Sequence, residues 1–515
     1  MLGQLIKKLK KLVFSRVLII GLLITGQILI LLLFILRLSG YFTMFYIVFM
    51  FISAVVTLIV INKEVNPSYK LAWIIPIMLF PLFGGLCYLI FGNAHLKKSL
   101  SSRMRKTEDE VNLKSVQTPE TEAILAQMPR SLQNQSQYLN YCGFPAYCHT
   151  QTQYLTPGET KLEAMLDAIA CAEKFIFLEY FIIDEGQMWD QILALLEQKV
   201  QQGVEVRVIY DSFGCLLTLP NNYYKVLCDK GIRCVEFNPL IPIVNMLMNN
   251  RDHRKILVVD GQIGIMGGVN IADEYINAVD RYRHWKDAAV RLEGEAVWSL
   301  TAMFIVMWDA ITGENTPLEH YRAAEISAQT KTNGIVQPYF DTPLDSEQVG
   351  EMVYLNIINR AQWYVYICTP YLIVDNETVT ALCLAAKNGV DVRIITPYHG
   401  DKWYVHIITR AYYAQLLREG VKIYEYLPGF VHAKTFVADD EVATVGTVNL
   451  DYRSFYLHFE CGLWMAQTDA VHAIKEDFLK TLSLCEQMTQ NSRQIRFGYA
   501  HRMASAVLRL FAPLM

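Results

Sequence analysis

The sequence has no Cys-x-x-Cys pair, although it contains 11 cysteines. These thiols are odd in number and are scattered from Cys87 to Cys485, which argues against a disulfide framework and against a cysteine-based metal site. They fit reduced, buried thiols in a cytoplasmic body. No basic stretch interleaved with aromatic residues stands out, and this disfavours a nucleic-acid-binding protein.

Acidic residues are also missing from the basic N-terminus, and no small-residue cleavage site follows the first apolar segment. Apolar residues make up 53% of the chain, and the excess is concentrated in the first hundred residues. Segments 17–38, 41–61 and 71–91 each approach the roughly 20 residues that a bilayer core requires. Because a removable signal peptide is not indicated, residues 1–98 are predicted to be a membrane anchor of N-terminal transmembrane helices.

Basic residues flank this region on both sides. They are Lys7, Lys8, Lys10, Lys11 and Arg16 before it, and Lys97, Lys98, Arg103, Arg105 and Lys106 after it. The positive-inside bias places both flanks in the cytoplasm, which demands an even number of crossings. The third segment contains Pro76, Pro81, Gly84 and Gly85, which weaken a straight helix. We therefore expect a two-span hairpin followed by a re-entrant or interfacial third segment.

The rest of the chain has the pattern of two similar α/β domains. Residues 99–135 are polar and are predicted to be a linker. Apolar runs of strand length then alternate with amphipathic helical stretches, which indicates parallel pairing. GVEVRVIY (203–210) resembles GVDVRIIT (389–396). This repeat predicts domains at 136–330 and 331–490, followed by a basic amphipathic segment at 491–515.

One motif occurs once in each half, with identical spacing: His-x-Lys-x4-Asp-x6-Gly-x-x-Asn. Its members are His253, Lys255, Asp260, Gly267 and Asn270 in the first half, and His432, Lys434, Asp439, Gly446 and Asn449 in the second. Residues two apart in a strand share a face, so each histidine is expected beside its lysine. A glycine-bearing turn then brings the asparagine amide back to that face.

Two such units place two imidazoles, two ammoniums and two amides around one centre. Neither a cysteine nor a second histidine lies nearby in sequence to complete a metal site, so the set points to an anionic ligand. One imidazole can attack phosphorus while the other, protonated, gives a proton to the departing oxygen. The lysines and asparagines would stabilise the phosphoryl oxygens, and we expect no metal or cofactor. A single His-x-Lys pair would be weak evidence, but two matched copies are not.

The doubled motif resembles the signature of the phospholipase D superfamily. Further stretches, among them FIFLEYFI, NNRDHRK, GTVNLDYRSF and RLFAPLM, are similar to bacterial cardiolipin synthases within it. The resemblance implies two phospholipase D-like α/β domains that share one active site. It implies that His253 is the nucleophile, which forms a phosphohistidine, and that His432 is the acid and then the base, with these roles exchangeable. Lys255, Lys434, Asn270 and Asn449 would hold the phosphate.

The resemblance also implies that Asp287 and Glu460 orient the histidines, each from the opposite half. Asp260 and Asp439 belong to the catalytic signature, but a motif-end aspartate suits a structural role in the following turn better. Two departures stand out. Gly268 and Thr447 occupy positions where other superfamily members have serine. His458 stands where the cardiolipin synthase pattern has asparagine.

The implied reaction is transfer of a phosphatidyl group between two phosphatidylglycerol molecules, giving cardiolipin and glycerol. Phosphatidylglycerol and anionic membrane lipid are therefore the expected partners, at a bacterial cell membrane with the catalytic domains on the cytoplasmic side. The sequence leaves open a hydrolase of the same superfamily, another phosphatidyl donor or alcohol acceptor, and a silent membrane scaffold. It also leaves open whether residues 491–515 bind lipid or pack on the second domain, and what the oligomeric state is.

Overall fold

The computed structural model describes residues 42–80, 98–114, 117–239, 249–323, 333–492 and 499–514, with seven isolated positions before residue 89. The N-terminal part begins with helices α1 (Phe42–Ile61) and α2 (Pro67–Leu79). They pack as a hairpin, in which Val56 and Val60 meet Trp73 and Ile77. The first predicted apolar segment, 17–38, lies outside the described residues except for four positions.

The prediction of N-terminal transmembrane helices is wrong. In the described part of the chain, no helix has both the length and the apolar character that crossing a bilayer requires. The third predicted segment shows the physical reason most directly. Helix α2 has 13 residues, or about 20 Å at 1.5 Å per residue, against a hydrocarbon core of about 30 Å. It stops at Leu79 because Phe80 precedes Pro81, and a residue before proline avoids the α conformation.

The hairpin is attached to the second catalytic half. Asn66, the residue before α2, caps the helix by accepting a hydrogen bond from the backbone of Ser68 at 2.9 Å. Its amide nitrogen donates to the hydroxyl of Tyr456 at 2.9 Å and to Asp375 at 3.2 Å. Helices α3 (Lys98–Lys114), α4 (Pro119–Gln127) and α5 (Arg130–Tyr141) follow. They occupy the stretch predicted as a polar linker.

The first half contains a seven-stranded sheet in the order β1-β9-β7-β6-β2-β3-β4. Its elements are β1 (Thr150–Leu155), α6 (Gly158–Ala170), β2 (Phe175–Tyr180), α7 (Gln187–Gln201), β3 (Glu205–Asp211), α8 (Tyr223–Asp229), β4 (Arg233–Phe237), β5 (Arg251–Asp252), β6 (Lys255–Val259), β7 (Ile263–Gly267), β8 (His284–Lys286), β9 (Ala289–Gly294) and α9 (Val297–Thr312). Strands β2, β3 and β4 are parallel, as the strand-helix-strand pattern predicts. The α/β class is therefore confirmed.

The second half repeats this plan in the sheet order β10-β19-β17-β16-β11-β13-β14-β20. Its elements are β10 (Ile335–Asp341), α10 (Val349–Arg360), β11 (Tyr364–Cys368), β12 (Leu372–Ile373), α11 (Asn376–Lys387), β13 (Asp391–Pro397), α12 (Trp403–Arg418), β14 (Lys422–Tyr426), β15 (Gly429–Val431), β16 (Thr435–Ala438), β17 (Val442–Gly446), β18 (Leu450–Asp451), α13 (Tyr452–Tyr456), β19 (His458–Ala466), α14 (Asp469–Leu482) and β20 (Cys485–Gln487). The repeated sequences 203–210 and 389–396 form most of two corresponding parallel strands, β3 and β13.

Helix α9 lies where the two sheets meet. Thirteen of its 16 residues are buried, and its side chains share one apolar core with Phe177 of the first sheet and Leu463 of the second. A helix that is apolar on all sides belongs in such an interior. The two halves are therefore joined by a common core. The predicted boundary near residue 330 falls outside the described residues, so the domain limits stay a prediction.

The C-terminal helix α15 (Tyr499–Phe511) packs on the second half. The guanidinium of Arg509 lies 4.3 Å from the ring centroid of Tyr412 on α12, and Leu508 packs on the apolar core of this half. Met503 and Val507 on the same helix are exposed. One face of α15 thus packs on the second half, which is one of the two alternatives for 491–515. The face with Met503 and Val507 is apolar and exposed.

Candidate active site

Two short inter-domain strand pairs bring the repeated motifs together. Strand β5 of the first half pairs with β19 of the second, which sets Asp252 opposite Phe459. Strand β8 of the first half pairs with β15 of the second, which sets Lys286 opposite Val431. The next residue on each strand is a motif histidine or a carboxylate. The pairing register therefore determines which carboxylate meets which histidine.

Each motif histidine contacts a carboxylate of the other half. Nδ1 of His253 lies 2.9 Å from Oε2 of Glu460, and Nδ1 of His432 lies 2.7 Å from Oδ2 of Asp287. The backbone repeats this crossing, because the N–H of His253 donates to the carbonyl of Phe459 and that of His432 to the carbonyl of Lys286. A carboxylate at Nδ1 fixes the Nδ1–H tautomer and leaves the Nε2 lone pair free for chemistry.

Burial sets the protonation state of the two histidines. Burial, with the charges of Lys255 and Lys434, holds the pKa of His253 well below its usual range. Burial and Lys434 lower the pKa of His432 to about 4, against the opposing effect of Asp287. Burial would raise the pKa of Asp287, but the hydrogen bond and charge of His432, the charge of Lys434 and the N–H of Ala288 together lower it to about 2. Both imidazoles are therefore neutral at pH 7 in the empty site, and Asp287 is ionised.

The two motif lysines are buried, and each lies two residues after its histidine, at or just before the start of β6 or β16. Nζ of Lys255 donates to the carbonyl of His253, and Nζ of Lys434 donates to the carbonyl of His432. Burial lowers the pKa of Lys255 to about 8 and that of Lys434 to about 7. An anion bound between them would favour the ammonium forms. The pair can therefore supply two positive charges when a phosphate arrives.

The two motif asparagines have different surroundings. Oδ1 of Asn270 accepts a hydrogen bond from the backbone of Ile182 at 3.0 Å, and its Nδ2 donates to the hydroxyl of Tyr275 at 2.7 Å. Asn449 is also buried, but in the described part of the chain its Oδ1 has no hydrogen-bond partner. That oxygen is only an acceptor, so this difference does not bear on the N–H groups that a phosphate would need.

Asp260 and Asp439 lie at the far ends of the motif strands, away from the histidines. Asp260 accepts three backbone hydrogen bonds, from residues 173, 174 and 175, at 2.7 to 2.8 Å. Asp439 accepts the matching three, from residues 362, 363 and 364, at 2.6 to 2.9 Å. Each carboxylate holds the start of the central strand, β2 or β11. This geometry gives them a structural role in both halves.

The two departures from the serine pattern have different consequences. A Cβ on Gly268 would lie 2.2 Å from Oδ1 of Asp287, so a side chain at this position would force the carboxylate to move. Thr447 keeps a hydroxyl, and that hydroxyl donates to the carbonyl of Cys461 at 3.2 Å and accepts from its N–H at 2.9 Å. Gly268 thus leaves the space in which Asp287 reaches His432, whereas Thr447 links the turn to β19 by hydrogen bonds.

Several site neighbours have no signal in the motif itself. The rings of Trp285, Tyr275 and Phe430 surround His432, with centroid distances of 5.1, 5.7 and 5.9 Å. Phe181 stands edge-on to His253 at 5.0 Å. These rings exclude water and account for the burial that lowers the histidine pKa values. Of these residues, Trp285 could have been predicted from the sequence. It is two residues before Asp287, and residues two apart in a strand share a face.

His458 is the third imidazole at the site. Its ring centroid is 5.5 Å from that of His253, and its Nδ1 is 3.6 Å from Oε1 of Glu460. The sequence marks His458 only as a departure from the family pattern, and its contact with His253, more than two hundred residues away in the chain, has no local signal. The clue was its position two residues before Glu460.

Comparison with protein families gives two matches. The model described as "Cardiolipin synthase, PLD-like domain" matches residues 165–304 and 354–482, which include both motifs. The model described as "Phospholipase_D-nuclease N-terminal" matches residues 45–93. Among solved structures, a phosphatidylserine synthase of Haemophilus influenzae has a TM-score of 0.55 at 15% identity, over 75% of this chain and 98% of that one. This last likeness concerns the fold alone.

Curated proteins are similar over most of the chain. A cardiolipin synthase of Alkalihalophilus pseudofirmus is 33% identical over 468 residues, covering 89% of this chain and 91% of that protein. A cardiolipin synthase of Geobacillus kaustophilus is 33% identical over 465 residues, with the same coverage. An uncharacterized protein of Streptococcus mutans is 44% identical over 459 residues, covering 89% of this chain and 99% of that protein. The chain therefore belongs to the cardiolipin synthase family, with its phospholipase D-like domains.

Proposed function

We propose that the protein is a cardiolipin synthase that transfers a phosphatidyl group from one phosphatidylglycerol to another. One observation carries the proposal. Each motif histidine is bound at Nδ1 by a carboxylate of the opposite half, so Nε2 is the nitrogen that each imidazole keeps for chemistry. Family membership supports the same reaction. A site with two equivalent bases suits an exchange of one alcohol for another.

In the first step, Nε2 of His253 attacks the phosphorus of phosphatidylglycerol. A nitrogen–phosphorus bond forms as the bond to the glycerol oxygen breaks, and His432 gives that oxygen a proton from Nε2. For this, His432 must enter the step as an imidazolium. The negative charge of a bound phosphodiester favours that state, and Asp287 stabilises it across Nδ1.

In the second step, glycerol is replaced by the head-group hydroxyl of a second phosphatidylglycerol. His432 takes the hydroxyl proton, the oxygen–phosphorus bond forms and the bond to His253 breaks. Lys255 and Lys434 balance the charge on the non-bridging oxygens in both steps. Asn449 and Asn270 would donate amide N–H groups to the same oxygens, although one N–H of Asn270 already donates to the hydroxyl of Tyr275. The exchange needs no oxidant, reductant or cofactor.

Phosphatidylglycerol and other anionic membrane lipids are the proposed partners, so the enzyme would act at the membrane in which they lie. Met503 and Val507, exposed on α15, offer an apolar face to such a surface. A cytoplasmic position of the catalytic domains stays a prediction. Truncation after Gln490, followed by vesicle-binding measurements, tests the part played by α15.

The reaction is tested by mass spectrometry of lipids after incubation of the purified protein with phosphatidylglycerol vesicles. The expected products are cardiolipin and glycerol in equal amounts, with no product from His253→Ala or His432→Ala. His472→Ala is the matched control, because His472 is an exposed histidine far from the site, and it should behave as the wild type. Phosphatidic acid in place of cardiolipin would make the protein a hydrolase, and no product from any donor lipid would contradict the enzyme proposal.

A further inference from the structure

His458 begins β19 and is two residues before Glu460, so both side chains leave the strand on the same face. The exposed fraction of His458 is 8%. Among the described residues, neither of its ring nitrogens makes a hydrogen bond, and Glu460 is 3.6 Å away. Buried polar groups are nearly always hydrogen-bonded. The ring nitrogens of His458 are therefore available to bind a ligand, and Nδ1 lies beside Glu460, the carboxylate that orients His253.

Three potential metal ligands meet here. One atom each from His253, His458 and Glu460 lies within 4.8 Å of the other two. Two of the separations are 2.9 Å, from His253 to Glu460, and 3.6 Å, from His458 to Glu460. Ligands at about 2.0 to 2.2 Å from a tetrahedral zinc ion lie about 3.3 to 3.6 Å apart. Small side-chain rotations bring the three atoms to that spacing, and two imidazoles with one carboxylate are a known zinc donor set.

We propose that His253, His458 and Glu460 form a binding site for a divalent transition-metal ion such as Zn²⁺, and that its occupation blocks phosphatidyl transfer. The ion binds Nδ1 of His253 in place of the proton shared with Glu460. That proton moves to Nε2 of the same ring, so the imidazole stays neutral. Nε2 then lacks the lone pair that attacks phosphorus. The inhibitory part of this inference rests on the proposed function, whereas the binding part does not.

The surroundings select the kind of ion. The buried side chains of Lys255 and Lys434 oppose any cation, and Glu460 supplies one negative charge. Affinity must therefore come from bonds to imidazole nitrogen, which favour Zn²⁺, Ni²⁺ or Cu²⁺. Mg²⁺ and Ca²⁺ prefer oxygen ligands and are expected not to bind. Binding of Zn²⁺ but not of Mg²⁺ would therefore distinguish specific coordination from non-specific electrostatic binding of cations.

The other half of the active site offers an internal comparison. Asp287 is the counterpart of Glu460, and the residue two before it is Trp285, not histidine. Nε1 of Trp285 lies 3.4 Å from Oδ2 of Asp287 as a donor. Indole nitrogen is a donor only and cannot bind a metal ion. The site is therefore expected on the His253 side alone, with a stoichiometry of one ion.

A second group of ligands must be separated in any test. Glu120, Cys148 and His149 also lie close enough together to hold an ion, although Cys148 is already hydrogen-bonded by Thr121 at 3.3 Å. The matched variants are accordingly His458→Asn, which installs the residue of the family pattern, and His149→Gln, which breaks only the second group. His458→Gln is a further replacement in case the first does not fold.

The experiment measures Zn²⁺ binding to the full-length protein by competition with a chromogenic chelator, and measures transfer in the same samples. The expected result is loss of one ion and at least about tenfold weaker inhibition in His458→Asn, relative to that variant's own rate in chelator. His149→Gln should keep both the binding of this ion and the inhibition by Zn²⁺, and Mg²⁺ should not change the transfer rate. Equal Zn²⁺ binding by wild type and His458→Asn, or loss of inhibition in His149→Gln alone, would overturn the proposal. A protein that binds Zn²⁺ through His458 but makes no cardiolipin in chelator would refute only the proposed function.

Discussion

Nδ1 of His432 lies 2.7 Å from Oδ2 of Asp287, although 145 positions separate the two residues in the chain. The matching contact joins His253 and Glu460, 207 positions apart. Each half thus supplies the histidine of one pair and the carboxylate of the other. Neither half contains a complete catalytic pair, which gives the doubled motif a physical reason.

Asp287→Asn is expected to reduce phosphatidyl transfer by about 10³-fold with little loss of stability. The amide keeps the shape of the side chain but cannot stabilise the imidazolium of His432, and removal of such a carboxylate has effects of this order. Initial rates of cardiolipin formation measure the change. Asp391→Asn is the control, since Asp391 pairs with Lys422 on the far surface. A rate within twofold of wild type would show that Asp287 does not act through His432.

Asp260→Asn is expected to lower stability by about 1 to 3 kcal/mol while the rate per folded molecule stays unchanged. One carboxylate oxygen accepts the N–H of Glu173, and the other accepts two further N–H groups. An amide nitrogen in place of one oxygen leaves a backbone N–H unsatisfied, which costs about that much.

Asp439→Asn should behave in the same way, because Asp439 makes the same contacts in the second half. Denaturant unfolding and initial rates are the two measurements. A lower rate at wild-type stability in either variant would assign that aspartate to the chemistry.

The sequence predicted the motif residues of the site better than it predicted the inter-domain contacts that surround them. The spacing of His253 and Lys255 predicted a common strand face, but β6 begins only at Lys255 and His253 lies just before it, so that expectation stays a prediction. The partners Asp287 and Glu460 depend on the inter-domain pairs β5–β19 and β8–β15, which no local pattern encodes, and only the family resemblance suggested them.

Two features escaped sequence reasoning for different reasons. His458 joins the site through the same long-range pairing, so its departure from the family pattern gave no sign that it would lie beside His253. At the N-terminus, apolar content was taken as a measure of spanning length. Hydropathy does not register where Pro81 ends the helix or how Asn66 attaches the hairpin to the second half.

Stability is expected to fall as the pH drops below about 6.5, in part because of His458. Burial lowers its pKa to about 3 in the folded protein, against about 6.5 in an unfolded chain. The unfolded state therefore binds more protons between these values, and stability present above pH 6.5 is lost as pH falls. One histidine contributes a slope of up to about 1.4 kcal/mol per pH unit.

Denaturant unfolding at about pH 7 and about pH 5 tests this, with His458→Asn losing less stability than wild type. His472→Asn is the control for removal of an exposed histidine and should follow the wild type. Equal pH dependence in all three proteins would contradict the burial of a neutral His458.

Gly268→Ala is expected to lower the transfer rate by about 10²-fold. Its methyl group would overlap Oδ1 of Asp287, at 2.2 Å, and push the carboxylate from His432. A misplacement of about 1 Å in a catalytic group has effects of this size. Thr447→Ala is the counterpart in the second half, where a side chain already fits, and should retain a higher rate. Full activity in Gly268→Ala would show that the Asp287–His432 contact is not needed.

In the proposed reaction one site uses two histidines, with His253 as the nucleophile. To test this, the enzyme is mixed with phosphatidylglycerol, the reaction is quenched at alkaline pH, and covalent adducts are mapped by peptide mass spectrometry. We expect a phosphatidyl adduct on the peptide that carries His253, absent from His253→Ala. An adduct on His432 alone would reverse the roles, and cardiolipin formation with no histidine adduct under single-turnover conditions would contradict the two-step account.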